Sequence, residues 1–203
     1  METQKPTDSR RILVVAGVLL LLAAMATQLA LSARRQSQTF DEGAHIFSGY
    51  RYWKNFDYGF NPEHPPLVKL IAALPLLGLP LRTPPIPDAD FKMLEFRTGR
   101  DFLYGNDAIA ILFRARMAVA SFTLCLALCI FLFARSMWGD GPAFLALGLF
   151  AFDPNFLAHG ALVTTDIAVT LGIFLGVGSF YLYWKKPTAW RLVCAGLAAA
   201  LCL

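Results

Sequence analysis

Residues 12–33, "ILVVAGVLLLLAAMATQLALSA", contain no charged side chain. At 1.5 Å per helical residue, about 22 residues cover the roughly 30 Å of a bilayer's hydrocarbon. Arg10 and Arg11 stand before the run and Arg34 and Arg35 after it. A secretory signal would have a shorter apolar core, and here further apolar runs follow, so we read a retained first membrane helix. The rest of the chain agrees with lipid as its solvent. Of 203 residues, 57% are hydrophobic and 16% charged, and the mean hydropathy is +0.53. The net charge of +4 is small, and the basic residues gather at the ends of apolar runs. That is interface anchoring and not a nucleic-acid surface. Cys125, Cys129, Cys194 and Cys202 all lie in apolar stretches without polar company and read as packing residues.

The expected architecture is an all-α polytopic membrane protein with four to five transmembrane helices. Residues 1–11 form a tail, 12–33 the first span, 34–108 a long loop, and 109–203 spans two to five. The second span is expected over 117–134, led in by Arg114 and Arg116 and closed by Arg135. The third run, 143–152, meets Asp153-Pro154, where a helix either ends or kinks and continues to Val163. The fourth span covers 167–184, and a fifth begins near Leu192. The chain stops inside the apolar "LVCAGLAAALCL", which we read as the N-terminal part of a longer membrane protein. Within the long loop, "PLVKLIAALPLLGLP" is too short and too interrupted by Pro75 and Pro80 to span, and is expected in the interface. Lys185, Lys186 and Arg191 favour a cytoplasmic N-terminus. Asp41, Glu42, His45, Glu63, His64, Asp153, His159 and Asp166 then collect at one outer membrane face.

Three stretches carry candidate chemistry. In "TFDEGAHIF", Thr39 and Glu42 fit the capping-box pattern, which gives Glu42 a structural role. Asp41, His45, Ser48 and Tyr52 form a polar stripe on the same helix, opposite Ile46, Tyr50 and Trp53. The polar stripe is either a solvated face or the wall of a cleft. In "NPEHPPLVK", two prolines hold Glu63 and His64 on a rigid corner before a helix that starts at Pro66. Lys69, one turn in, is either an anchor snorkelling to headgroups or a fixed cation for a lipid phosphate. In "DPNFLAHGALVTTD", Asp166 either begins the next span within an N-cap cluster or serves a site at membrane depth. His45, Glu63, His64 and Asp166 have metal-ligand side chains but no tight ligand spacing, so a divalent metal stays open as a cofactor.

In these residues, in this order, the sequence resembles the N-terminal part of the GT-C class of polytopic glycosyltransferases. The likeness is to the protein O-mannosyltransferase and lipid A aminoarabinose transferase group. The matching features are "DE" at 41–42, "HPPLVK" at 64–69, the arginines Arg114 and Arg116, and "DPNFLAHGALVTTD" at 153–166. The resemblance implies a first outer loop with helices lying on the membrane. It implies a polyprenyl-phosphate-linked sugar donor and a hydroxyl acceptor on a protein, lipid or glycan, used at the outer face of the cell (inner) membrane. It implies Asp41 as catalytic carboxylate with Glu42 beside it, and Asp166 as a second acidic group. It places Glu63, His64 and Lys69 near the donor phosphate, where we add His45 and Arg114 as candidate contacts. Members of the group carry more spans than this chain, so acceptor-binding parts are expected outside it. Two rival readings are a transporter or flippase for a lipid-linked or anionic solute, and an inactive truncated subunit. A transporter would place its polar groups near the bilayer midplane in paired repeats, and no repeat is visible.

Overall fold

A computed structural model describes residues 8–86 and 91–200, with the side chains of 91 and 92 excluded. All regular structure among the described residues is helical. The helices are α1 (Asp8–Arg35), α2 (Glu42–Asn55), α3 (Pro66–Ala73), α4 (Phe91–Tyr104), α5 (Ala108–Trp138), α6 (Asp140–Ala151), α7 (Pro154–His159), α8 (Asp166–Lys185) and α9 (Ala189–Ala200). Among the described residues three helices, α1, α5 and α8, are long and apolar enough to cross a membrane. The chain is therefore an all-α polytopic membrane protein. Against the four to five expected spans, three helices among the described residues have that length, and the third and fifth apolar runs form the shorter helices α6 and α9.

α5 is longer than the run expected at 117–134. It starts at Ala108 because the Asp107 side chain accepts from the Ala110 N–H, satisfying one of the free donors at the helix start. Arg114 and Arg116 thus lie inside the helix. At its far end Gly139 turns the chain in the left-handed region, with φ of 85°. α6 then returns along α1 and α5. Asp140 accepts from Arg135 at 2.7 Å and from Arg10 at 2.9 Å, which gathers the start of α1, the end of α5 and the start of α6 at one end. α1 and α5 are therefore antiparallel, and the end of α1 and the start of α5 meet at the opposite end.

The third apolar run stops at Ala151, and no kinked helix continues to Val163. Asp153 starts the short α7 instead, accepting from the N–H groups of Asn155 and Phe156. The Gln28 side chain donates to Ala151 O, and Thr123 Oγ1 donates to Gly160 O. Gln28 lies about two helical turns before the end of α1 and Thr123 about two turns past Arg116, each on the order of 10 Å deeper. α6, α7 and the segment up to Thr165 thus bring the chain back across the bundle in broken form before α8 descends.

Helices α2, α3 and α4 pack on the end where α1 finishes and α5 begins. Two glycine contacts set their spacing. A Cβ on Gly49 of α2 would lie 1.9 Å from the Lys69 carbonyl oxygen of α3. A Cβ on Gly99 of α4 would lie 2.4 Å from the Gly43 carbonyl carbon of α2. α2 is consequently enclosed nearly all round. Ile46 and Tyr50 are buried, and so are His45, Ser48 and Tyr52, so neither stripe of α2 is a solvated face. Only Trp53, among the six residues of the two stripes within the helix, is exposed.

Candidate active site

The centre of this end is the pair Glu42 and Arg116, both fully buried. Arg116 Nε donates to Glu42 Oε1 at 2.8 Å and Nη2 donates to Oε2 at 2.6 Å, a bidentate fork. Nη1 donates to the carbonyls of Ala33 and Gln36, and Nη2 also to that of Ser37, each at 2.8 Å. All five guanidinium hydrogens have acceptors. Glu42 is equally saturated: Oε1 also accepts from the Val163 N–H at 3.1 Å, and Oε2 from the Thr39 N–H at 2.9 Å. Burial pushes the Glu42 pKa up, but Arg116 and these two N–H groups outweigh it and hold the carboxyl below its ordinary value. One ion pair therefore ties the end of α1, the start of α2, the third turn of α5 and the connector before α8. The bond from Thr39 N–H is the glutamate half of the expected capping box. The Thr39 hydroxyl has no hydrogen-bond partner, so the other half does not form.

Asp41 is the opposite case. It is exposed, at the N-terminus of α2, and its carboxylate makes no hydrogen bond or ion pair among the described residues. Asp166 is also exposed, in the first turn of α8, and accepts from Thr164 Oγ1 at 2.9 Å. The Val163 bonds to Glu42 and His45 bring the two aspartates to the same end. His45 Nδ1 lies 2.9 Å from Val163 O; because a carbonyl only accepts, Nδ1 carries the proton and Nε2 keeps its lone pair. Burial lowers the His45 pKa, outweighing the Val163 carbonyl, and Lys69 and His64 push the same way.

The 61–64 corner lies against this wall. The His64 ring packs edge-on to His45 with centroids 5.2 Å apart, and both His64 and Glu63 are exposed. Lys69 does not reach outward to headgroups. It is fully buried, and four acceptors, Asn61 O, Asn61 Oδ1, His64 O and Tyr52 OH, share its three ammonium hydrogens, which holds the corner to α2. Burial draws its pKa down to about 8 against the pull of Glu95 and Glu63. Glu95 of α4, which the sequence reading did not single out, is buried and accepts from Asn61 Nδ2. Burial raises its pKa, with the Asn61 bond opposing. The sequence signal for it is weak: Glu95, Thr98 and Phe102 fall at helical spacing on the buried side of α4.

Arg114 is not part of this centre. It is exposed, two residues from Arg116 and so on the far side of α5. Asp153 caps α7 and His159 ends it, and neither side chain bonds to Glu42 or Arg116. Among the described residues no group of three or more His, Cys, Asp or Glu side chains is placed to hold a metal; of His45, Glu63, His64 and Asp166, His45 and His64 pack together without making such a group.

A family model described as dolichyl-phosphate-mannose-protein mannosyltransferase matches residues 18–203. The chain belongs to that family. The match covers α1 from Val18 onward and everything after it, including the Glu42–Arg116 pair and both exposed aspartates. No curated protein and no solved structure matches the chain. Family and helices agree on a membrane glycosyltransferase fold, with the polar centre at the end of the spans.

Proposed function

We propose that this chain carries the acceptor-activating part of a glycosyltransferase that moves a sugar, as the family name suggests mannose, from a polyprenyl phosphate to a hydroxyl at the extracytoplasmic face of the cell (inner) membrane. The acceptor is a protein or a lipid or glycan. The observation that supports this reading best is the division of the acidic pair. Glu42 is saturated and buried, whereas Asp41 beside it is exposed and unpaired, on a helix start fixed by the Glu42–Arg116 bond.

A polyprenyl phosphate keeps its tail in lipid and its phosphate at headgroup level, so the sugar carbon under attack sits where Asp41 is. Asp41 takes the proton of the acceptor hydroxyl as that oxygen bonds to the anomeric carbon. The bond from that carbon to the phosphate oxygen breaks, and its electron pair leaves with the phosphate. One displacement inverts the anomeric centre. Asp166 is a second acidic group at the rim, suited to orienting the acceptor or sugar. His64 and Glu63 present the exposed surface of the corner to the donor headgroup, and His45 and Lys69 act as positioning residues behind it.

The test is transfer by the full-length protein from polyprenyl-phosphate-linked sugars to hydroxyl acceptors. Asp41→Asn is expected to lower turnover by about 10²–10⁴-fold, the share a positioned base supplies, with the melting temperature unchanged. Near-normal turnover by that variant would sink the assignment.

A further inference from the structure

A second feature lies on the other side of α5. Leu74, Pro75, Phe113, Arg114, Met117 and Ala118 line a groove of about 600 Å³ between the end of α3 and α5. Its walls are apolar except for Arg114. Residues 113, 114, 117 and 118 recur at helical spacing, so they share one face of α5, while Ala115, Arg116, Val119 and Ala120 turn inward to the bundle. Arg34, in the last turn of α1, places its guanidinium 4.8 Å from the centroid of the Phe113 ring. Neither Arg34 nor Arg114 has a carboxylate partner among the described residues. One cation thus lines an apolar groove on membrane-spanning helices and a second lies over the ring of Phe113, which also lines it, near the end where the polar site lies.

We propose that this groove holds an anionic phospholipid of the adjacent leaflet, with an acyl chain against Leu74, Pro75, Met117 and Ala118 and the phosphate at Arg114 and Arg34. The charge balance selects the occupant. A zwitterionic lipid brings its own cation and leaves the guanidinium groups uncompensated. A peptide carboxylate would supply the charge but not a chain to fill apolar walls at that depth. A bidentate guanidinium also fits a phosphate better than an ammonium does. The site is separate from the Glu42–Arg116 centre, so it can succeed or fail independently of the proposed chemistry.

The full-length protein, exchanged into nanodiscs of equal phosphatidylglycerol and phosphatidylcholine and released for native mass spectrometry, is expected to retain phosphatidylglycerol selectively. Arg114→Gln should lower that retention by about fivefold, and Arg34→Gln with Arg114→Gln by more than either alone. Arg114→Lys, which keeps the charge without the bidentate fork, should retain more lipid than Arg114→Gln but less than the wild type, which separates loss of charge from misfolding. Ala118→Trp, which fills the groove with both arginines intact, should also release the lipid. Equal retention of the two lipids, or wild-type retention by Arg114→Gln or Ala118→Trp, overturns the proposal. Displacement by inorganic phosphate alone overturns it in favour of a phosphate site. Displacement by a polyprenyl phosphate but never by added phosphatidylglycerol overturns it in favour of the donor's own tail.

Discussion

Removing Arg116 tests the centre of the site most directly. Arg116→Ala leaves the buried Glu42 carboxylate with two backbone N–H donors, from Thr39 and Val163, and takes the donor from three carbonyls. Breaking a buried ion pair from one side costs about 3–5 kcal/mol. The Gln36 and Ser37 carbonyls lie close enough to the surface to regain water, but Ala33 is buried and adds the cost of an unmade hydrogen bond. The sum is on the order of 4–6 kcal/mol, a large part of the stability of an ordinary domain. We expect the melting temperature of the full-length protein to fall by roughly 10–20 °C, with new protease cleavage between residues 36 and 41 as the loop leaves α1. Glu42→Gln should behave similarly. Its amide NH₂ must face donor groups whichever way it turns, so the loss extends beyond capping. The double variant Glu42→Met with Arg116→Met removes both charges and should be less damaged than Arg116→Ala. If Arg116→Ala melts with the wild type and keeps its loop protected, the ion pair does not hold this end together and the reasoning is refuted.

Three further outcomes follow from particular contacts. Gly49→Ala would drive a methyl into the Lys69 carbonyl 1.9 Å away, so α2 and α3 must separate; thermal melting should show a loss of about 1–3 kcal/mol or more, and an unchanged melt would contradict the close crossing. His45 has a folded pKa below 6.5, so below that pH the unfolded chain binds a proton that the folded one refuses and stability falls as pH falls. His45→Asn keeps a donor for Val163 O without titrating, and melting against pH should be flatter than wild type from 6.5 downward; an identical slope would exclude His45 as its source. Asp166→Asn should alter stability by no more than about 1 kcal/mol, since only a helix-start charge and one Thr164 bond change, while lowering turnover of the full-length enzyme; wild-type rates would remove Asp166 from the site.

The apolar runs, the helix start at Pro66 and an end or kink at Asp153-Pro154 were legible because each rests on local rules of length, charge and proline. The inner node was not. Arg114 and Arg116 look alike when they are taken as a basic lead into a span that begins at Met117. Once Asp107 is recognised as the cap, the helix starts at Ala108, nine residues before Met117, and the pattern Ile111, Leu112, Ala115, Arg116, Val119, Ala120 puts one arginine on the buried stripe and the other off it. That signal was present in the sequence but needed the correct start. Lys69 shows a different limit. Its position suited a headgroup anchor or a phosphate contact, and only the fold of the 61–64 corner around its ammonium decides what its hydrogens meet. Glu95 depends on Asn61, distant in sequence, and no local pattern announces that pairing.

The contacts of Glu42 also constrain how this end is assembled. Its partners come from the preceding turn, from α5 and from the connector before α8, the last two at sequence separations of 74 and 121 residues. The carboxylate is saturated only when all three are in place, and any partial set leaves charge in an apolar surrounding. Docking of the loop on α1 and α5, and closure of the 160–165 connector over α2, are therefore coupled through one side chain. Asp41 gains its fixed position from that closure without sharing in it, because it contributes no bond to the node. The same closure brings Asp166 to the rim through Val163. The two exposed aspartates are thus held by a structure that makes little use of their carboxylates, as the proposed chemistry requires.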